Sequence, residues 1–336
     1  MNSKVRVLAA LLGGRVDRPP VTGIITAVTQ QMMQEAGAPW PDAHRDADLM
    51  AKLGAGGHVL YGLETVKVPF DVTVEAEALG GEVDYGDRNI FPQLTHPPLQ
   101  DPAELEYPAD FLKRGRVPLV LQAIRFLRDR HGAEVPVVSS VMGPFTLCTL
   151  CFGQEFFIWL KCEPKKYQEA MERATTLAHR YAAAQITAGS DIIQFGEAAA
   201  SGSMISPADY GMGVAPFHRQ LATAVAAPTV LHICGDITDR LEMISATGVS
   251  GLSLDHQVDL KVAQRLKGRL ALVGNIPVEV LGQGSPAVIR EHAEEALQHG
   301  IDVLNAGCSL LTQTPGENLK AMVAVARAAR RTVRPA

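Results

Sequence analysis

Several features that would point to particular classes of protein are scarce in this 336-residue sequence. Five cysteines are few and odd in number, which excludes a disulfide framework and favours free thiols or metal ligands in a reducing compartment. No run approaches the roughly 20 apolar residues of a membrane span, so we expect no membrane association. With 31 basic against 36 acidic residues the formal net charge is −5, so nucleic acid is not an expected partner.

The N-terminal segment lacks what a secretory signal needs. Its apolar run is short, it has no convincing cleavage site, and Arg15, Asp17 and Arg18 follow. We therefore expect an amphipathic first helix, forming an N-terminal helical extension of the fold, and a cytoplasmic location. The composition that remains, 47% hydrophobic and 20% charged, is that of an ordinary globular protein with a large core.

Short β-branched runs alternate with amphipathic stretches through the central and C-terminal parts of the chain. This rhythm is typical of repeated βα units around a parallel sheet. The candidate strands are 21–25, 65–70, 135–141, 191–196, 229–233, 251–254, 270–274 and 302–305. Their number predicts an α/β protein of the (β/α)8 TIM barrel type, with a single domain over 1–336.

Two further segments stand out within this pattern. Residues 164–188 form the clearest predicted helix, because apolar residues recur every three or four positions and Gly189 ends the pattern. Residues 71–115 follow the second candidate strand and have little periodicity, a Gly80-Gly81 pair and five prolines. We expect a long insertion there, and long ordered loops in compact domains are usually functional or lid-like.

The most informative cluster is Leu-His-Ile-Cys-Gly at 231–235. His232 and Cys234 are two residues apart at the end of a candidate strand, so their side chains point to the same side. Cys308 follows the last candidate strand, and barrels place their chemistry at the carboxyl ends of strands. One imidazole and two thiolates suit zinc, and three ligands from two separate strands leave a position for an exogenous donor.

Ordinary core packing is the alternative interpretation of these residues, because cysteine is among the most buried residue types. The strand-end position of Cys308 favours the metal site. Cys148 and Cys151 form a C-x-x-C pair, but no second pair completes a zinc ribbon. Their apolar surroundings indicate the packed start of a helix.

Polar residues at other strand ends are candidates for the same site. Glu197 and Asp255 each close a candidate strand, and either could be a fourth zinc ligand or a partner of a ligand. The alternative for both is a helix cap or a salt bridge at a loop. We assign Glu197 as a candidate catalytic carboxylate, and Asn275 and Gln194 as candidate contacts to substrate.

These motifs resemble the uroporphyrinogen decarboxylase superfamily, and within it the zinc-dependent methylcobamide:coenzyme M methyltransferase branch. The resemblance spans nearly the whole chain. It rests on segments 8–21, 37–53, 232–235, 272–275, 305–308 and 314–321.

The resemblance implies a uroporphyrinogen decarboxylase-like barrel that takes a methyl group from a methylated corrinoid on a partner protein and gives it to a zinc-activated thiol. The family's zinc ligands correspond to His232, Cys234 and Cys308, and its acidic ligand to Asp255, where relatives carry glutamate. A free thiol is mostly protonated at neutral pH, and coordination to zinc converts it to the nucleophilic thiolate.

Two other functions remain open at this stage. True uroporphyrinogen decarboxylases carry an arginine-rich stretch that binds substrate carboxylates, whereas segment 26–33 contains no arginine here. A non-catalytic partner of a corrinoid protein is the second alternative. The acceptor could be coenzyme M, another thiol or a folate, and the fourth zinc ligand could be Asp255, Glu197 or water.

Overall fold

The computed structural model describes residues 1–329, and a parallel sheet of seven strands lies at its centre. The order of the strands in the sheet is β1-β4-β5-β6-β7-β8-β9, and β2 and β3 form a separate antiparallel hairpin. The strands are β1 Val66–Val68, β2 Val83–Asp84, β3 Gln93–Leu94, β4 Val137–Met142, β5 Ile192–Gly196, β6 Thr229–His232, β7 Gly251–Leu254, β8 Ala271–Ile276 and β9 Val303–Ala306.

Apolar residues cover both faces of this sheet. In β1 and in β4 to β9 every residue except Gly196 is buried. Strands that are buried on both faces are expected in a parallel sheet covered by helices. Seven of the eight predicted strands therefore correspond to observed ones, with ends that differ by at most two residues.

The first predicted strand, 21–25, is the exception, because only Val21 forms a β-bridge, to Leu304. The segment nevertheless bonds to both edges of the sheet: the Leu304 amide donates to the Pro20 carbonyl, and the Glu64 amide donates to the Val21 carbonyl. It thus lies between β9 and β1, in the eighth position of the barrel. Pro20 has no amide hydrogen to donate, which limits the regular pairing of this segment.

Helices connect the strands and surround the sheet. The α-helices are α1 Ser3–Leu11, α2 Gln30–Glu35, α3 Asp42–Arg45, α4 Ala47–Tyr61, α5 Val74–Ala78, α6 Val117–His131, α7 Pro144–Phe152, α8 Gln154–Cys162, α9 Pro164–Ala188, α10 Pro207–Asp209, α11 Ala215–Ala224, α12 Leu241–Ser245, α13 Leu260–Ala263, α14 Val278–Gln283, α15 Pro286–Gln298 and α16 Gly316–Ala328. The helix predicted over 164–188 is confirmed at both ends by α9. Within residues 1–329, no helix combines the length and apolar character needed to cross a bilayer.

The predicted N-terminal helical extension is α1, which closes one end of the barrel. Val7, Ala10 and Leu11 belong to a small core cluster of their own, together with residues near the amino ends of the strands, such as Ile192 and Val303. Because α1 packs against this end, the carboxyl ends of the strands are left for a site.

The insertion predicted over 71–115 is confirmed as a segment with little regular structure. It contains α5, the β2-β3 hairpin and two short 3-10 helices, Pro102–Glu104 and Phe111–Lys113. Phe111 is buried, so the insertion is packed onto the barrel at this point. That the chain is one domain stays a prediction, and residues 330–336 lie outside the described part.

Candidate metal centre

His232, Cys234 and Cys308 come together at the carboxyl end of the barrel. His232 is the last residue of β6, Cys234 lies two residues beyond it, and Cys308 lies two residues beyond the end of β9. One ligand atom from each of the three residues lies within 4.8 Å of the others. The sequence predicted this convergence from strand ends that are 74 residues apart in the chain.

The distances in the cluster fit a tetrahedral zinc ion. Cys234 Sγ is 3.8 Å from Cys308 Sγ and 3.4 Å from His232 Nε2. Two sulfurs bonded to one tetrahedral zinc ion are about 3.8 Å apart, and a sulfur and an imidazole nitrogen are about 3.6 Å apart. The two distances from Cys234 Sγ are therefore close to those that such an ion requires.

Ser253 holds the His232 ring in the orientation that a metal ligand needs. Its hydroxyl is 3.1 Å from His232 Nδ1, and the two residues are paired in register between β6 and β7. When Nδ1 carries the proton and donates it to the hydroxyl, the lone pair of Nε2 faces the sulfurs. Ser253 was not predicted as a site residue, although a single hydroxyl in the apolar strand Gly-Leu-Ser-Leu was a signal.

The two cysteine sulfurs share a proton, and this hydrogen bond is the largest influence on both thiols. It lowers the pKa of Cys308 and raises that of Cys234, because one sulfur keeps the proton and the other becomes the thiolate. Burial opposes the lower pKa of Cys308, whereas the neighbouring His232 imidazole favours it. The pair therefore holds a thiolate, the form that binds a metal.

Asp255, the fourth predicted ligand, lies beside this cluster but outside the group of converging ligand atoms. Its Oδ2 accepts a hydrogen bond of 3.0 Å from the amide of Gly235, and its Oδ1 accepts one of 3.1 Å from the amide of Gln257. His256 Nδ1 is 3.0 Å from Oδ1. The carboxylate thus holds the loop that carries Cys234, and its role as a ligand stays a prediction.

A cavity of ≈ 250 Å³ has the metal-binding side chains in one wall. Most of the remaining wall is apolar and is formed by Ile25, Phe70, Val72, Phe91, Pro92 and Met142. Phe91 and Pro92 belong to the insertion, so this segment helps to enclose the site. The volume suits a small molecule, since larger pockets bind drug-sized ligands. The apolar wall suits a ligand whose middle part is apolar.

Gln194, a predicted substrate contact, lines this cavity. Its Oε1 accepts a hydrogen bond of 2.7 Å from the hydroxyl of Ser140, which also lines the cavity. Asn275, the other predicted contact, instead lines a neighbouring cavity of ≈ 300 Å³ with His256 and His292. The structure therefore brings Gln194, but not Asn275, to the cavity of the metal cluster.

Glu197, the predicted catalytic carboxylate, is fully buried and is not among the residues that line the cavity. It accepts hydrogen bonds from the amides of Phe145 and Thr146 in the first turn of α7, at 3.1 and 2.8 Å. His218 Nε2 lies 3.0 Å from its Oε1. Through these contacts Glu197 links the end of β5 to α7 and α11. A catalytic role for Glu197 stays a prediction.

Lys67 is a cavity residue that the sequence analysis missed. It lies in the middle of β1, and its ammonium donates to Thr26 Oγ1 at 3.0 Å and to the Pro69 carbonyl at 3.2 Å. Burial lowers the pKa of Lys67 to about 7, and the charge of Asp71 only partly opposes this shift. A single lysine in the apolar strand Val-Lys-Val was the signal that could have identified it.

Asp71 also lines the cavity, but its charge is already compensated. Arg116 donates to both of its oxygens, at 2.8 and 3.1 Å, and Thr73 donates to Oδ1 through its amide and its hydroxyl. Burial opposes ionisation of Asp71, yet the charge of Arg116 outweighs it and the pKa lies well below its ordinary value. Asp71 is therefore an ionised residue whose acceptors are engaged inside the protein.

Comparisons with known proteins find relatives over nearly the whole chain. The profile of the uroporphyrinogen decarboxylase (URO-D) family matches residues 2–329. The methylcobamide:CoM methyltransferase MtaA of Methanosarcina barkeri is 37% identical over 329 residues, which cover 96% of either chain. The uroporphyrinogen decarboxylase of Geobacter sp. strain M21 is 28% identical over 345 residues, which cover 95% of this chain and 96% of that protein.

A solved structure is similar over the same extent. A methyltransferase from Methanosarcina mazei matches with a TM-score of 0.94 and 37% sequence identity, covering 97% of this chain and 98% of its own. The likeness therefore extends over nearly the whole chain.

Proposed function

The chain belongs to the uroporphyrinogen decarboxylase family, and we propose that it transfers a methyl group from a methylated corrinoid on a partner protein to a small thiol such as coenzyme M. One observation carries this proposal: an imidazole and two cysteine sulfurs lie within 4.8 Å of one another in the wall of a small cavity. The greater identity to the methyltransferase, 37% against 28% for the decarboxylase, supports the same function.

Zinc is the ion that the donor set fits. His232, Cys234 and Cys308 would hold it, Ser253 orients the imidazole, and the cavity side is left for a visiting donor. Asp255 or a water molecule would complete the coordination before the acceptor arrives. When bound, zinc supplies a Lewis acid that lowers the pKa of the acceptor thiol, so that the thiolate is present at neutral pH.

The proposed reaction is balanced without an oxidant or a reductant. The acceptor sulfur forms a bond to the methyl carbon while the cobalt–carbon bond breaks, and both electrons of that bond remain on cobalt. Cobalt therefore passes from Co(III) to Co(I), and the thiol proton leaves to solvent. Phe70 and Met142 lie in the cavity wall, where their apolar side chains would exclude water from a bound acceptor.

Decarboxylation of a cyclic tetrapyrrole has weaker support. A substrate with eight carboxylates needs several cationic partners. Segment 26–33 has no arginine, and Lys67 is the one cationic side chain in the cavity wall within the described residues. The cavity volume of ≈ 250 Å³ also favours a small thiol over a tetrapyrrole or a folate.

We also propose a cytoplasmic location for the protein. All five cysteines are free thiols in the structure, and Cys234 and Cys308 must remain reduced to bind a metal.

The decisive experiment combines metal analysis with a methyl-transfer assay. Zinc-loaded protein is incubated with methylcobalamin and a panel of thiols, and loss of the methyl–cobalt absorbance is followed. We expect one zinc per chain, formation of the methyl thioether, and loss of activity after zinc is removed by a chelator, with recovery when zinc is restored.

The same experiment, with a parallel incubation with a porphyrinogen, separates the alternatives. A decarboxylase would act on a porphyrinogen and release carbon dioxide without any metal. A non-catalytic carrier would bind a corrinoid protein yet leave methylcobalamin unchanged with every thiol. Either result, obtained with fully zinc-loaded protein, would overturn the proposed function.

A further inference from the structure

Lys67 faces the cavity from the middle of a strand that is otherwise apolar. Val66 and Val68 on either side are buried in the main hydrophobic core, and alternate residues of a strand point to opposite faces. The Lys67 side chain therefore points into the barrel, where it lines the cavity that also contains Cys234 and Cys308.

Within the described part of the chain, the ammonium group of Lys67 has no direct counter-ion. Its two hydrogen-bond acceptors, the Thr26 hydroxyl and the Pro69 carbonyl, are both neutral. Among residues 1–329, no carboxylate oxygen lies within 4.0 Å of its Nζ. Asp71 is nearby, but Arg116 already occupies both of its oxygens.

A buried cation in this condition is unfavourable for folding. Transfer of an ammonium from water into the protein costs free energy, and hydrogen bonds to neutral acceptors offset only part of that cost. Burial accordingly lowers the pKa of Lys67 to about 7. An ammonium has three donors, and two of them are engaged inside the protein. The third donor and the positive charge are available to a ligand that enters the cavity.

We propose that Lys67 is the anion-binding residue of the acceptor site and pairs with the negatively charged head of a short thiol whose sulfur end reaches the His232, Cys234 and Cys308 cluster. The inference rests on the proposed function for the thiol end and on the position of Lys67 for the anionic end. The acceptor class is a thiol and an oxyanion joined by a short apolar linker, which the apolar wall between the two ends would accommodate.

The shared chemistry of the head group is an oxyanion, either a sulfonate or a carboxylate. Coenzyme M carries a sulfonate, whereas 3-mercaptopropionate carries a carboxylate at a similar distance from sulfur. 2-Mercaptoethanol has the thiol and the short linker but no charge. A comparison of the three thiols therefore isolates the head group and distinguishes its two forms.

Three variants test the role of Lys67. Lys67→Met removes the charge and nearly keeps the length of the side chain, and Lys67→Arg keeps the charge. Lys165→Met is the matched control at an exposed position of α9. With zinc-loaded protein and methylcobalamin, kcat and KM are measured separately for each thiol. Charge-assisted hydrogen bonds predict that the preference of the wild-type protein for anionic thiols falls by about 10- to 100-fold in Lys67→Met, mainly through KM. Lys165→Met should keep the wild-type preference, and Lys67→Arg should keep part of it.

A binding measurement tests the anionic end without the reaction. Ethanesulfonate and propionate have the head groups but no thiol, so calorimetric binding of each reports the contact with Lys67 independently of activity. We expect the wild-type protein and Lys165→Met to bind at least one of them and Lys67→Met to bind at least 10-fold more weakly. Circular dichroism and thermal melting establish that each variant is folded.

The outcomes separate this inference from the proposed function. If wild-type protein transfers methyl groups to 2-mercaptoethanol as efficiently as to both anionic thiols, the proposed function is supported and the role of Lys67 is overturned. This result needs no variant. Wild-type protein that fails with every thiol overturns the function, while loss of ethanesulfonate or propionate binding in Lys67→Met still supports the anion site. Unchanged selectivity and unchanged anion binding in folded Lys67→Met would overturn the inference.

Discussion

The residues that follow β5 and those that follow β6 lie at the same end of the barrel, yet their reactive groups are satisfied in different ways. After β5, the Glu197 carboxylate accepts hydrogen bonds from two amides of α7 and contacts His218, and it is fully buried. After β6, His232 and Cys234 contact Ser253, Cys308 and each other, and they border a cavity.

This difference shows how a polar residue with a structural role can be distinguished from a metal ligand. A group whose acceptors are all engaged inside the protein has little capacity left for a substrate or an ion. A cluster whose sulfurs are partly exposed and share a proton has donor capacity to offer. The predictions that follow test this distinction, from the largest expected effect to the smallest.

Cys308→Ala should have the largest effect, because it removes one of three metal ligands. We expect zinc content to fall from one per chain to almost none and methyl transfer to fall by at least about 100-fold. Metal analysis of the purified variant and the methylcobalamin assay measure the two effects. Cys162→Ala is the matched control, since Cys162 is an exposed free thiol at the end of α8. A Cys308→Ala protein that keeps its full zinc content would refute the ligand assignment.

Glu197→Ala should instead affect stability. Removal of the carboxylate leaves the Phe145 and Thr146 amides and His218 without their buried acceptor, at an expected cost of about 3–5 kcal/mol in the free energy of unfolding. Chemical denaturation measures this loss, and zinc content per folded chain should not change.

The milder Glu197→Gln tests the catalytic alternative directly. The amide can still accept a hydrogen bond from α7, so we expect a folded protein with full zinc content and kcat within about threefold of the wild type. A fall of 100-fold or more in kcat with zinc retained would show that Glu197 takes part in the chemistry.

Glu75 is another buried carboxylate and extends the comparison with Glu197. Unlike a paired carboxylate, it has no cation within 4.0 Å in the described chain. Burial raises the pKa of Glu75 from 4.5 to about 7, despite a hydrogen bond of 2.8 Å from the Met142 amide. The folded protein therefore binds this proton more tightly than the unfolded chain does. The stabilisation is fully present below pH 4.5 and is lost as the pH rises through about 7.

Glu75→Gln should remove that pH dependence. Relative to the wild type, the variant should gain about 2–3 kcal/mol in the free energy of unfolding between pH 5 and pH 8, because the amide does not ionise. Denaturant titrations at the two pH values measure the difference. A wild type and variant whose stabilities change in parallel with pH would show that Glu75 does not titrate in this range.

Ser253→Ala should have the smallest effect on the metal cluster. The hydroxyl orients the His232 ring but does not bind the metal, so its loss should weaken zinc binding by about 10-fold while the protein stays folded. Competition with a chromogenic chelator measures the zinc affinity, and the exposed Ser203→Ala is the control. An unchanged affinity would mean that packing alone orients the imidazole.

Much of the fold could be predicted because the signals are local. Periodicity and an ending glycine place α9 over Pro164–Ala188, and apolar β-branched runs mark seven strands of the sheet. The first predicted strand, 21–25, forms only one β-bridge, and its place in the barrel depends on hydrogen bonds to Leu304 and Glu64, which are distant in sequence.

The candidate site also has a part that the sequence predicts and a part that it does not. The amino-acid sequence by itself determined that His232, Cys234 and Cys308 stand at strand ends, because parallel strands bring their carboxyl ends to one edge. Only the tertiary structure decided that Glu197 turns towards α7, 51 and 52 residues away, and that Lys67 meets the neutral Thr26 hydroxyl, 41 residues away. The physical reason is that the role of a charged group depends on which partners surround it, and partners that are distant in the chain become neighbours only when the barrel closes.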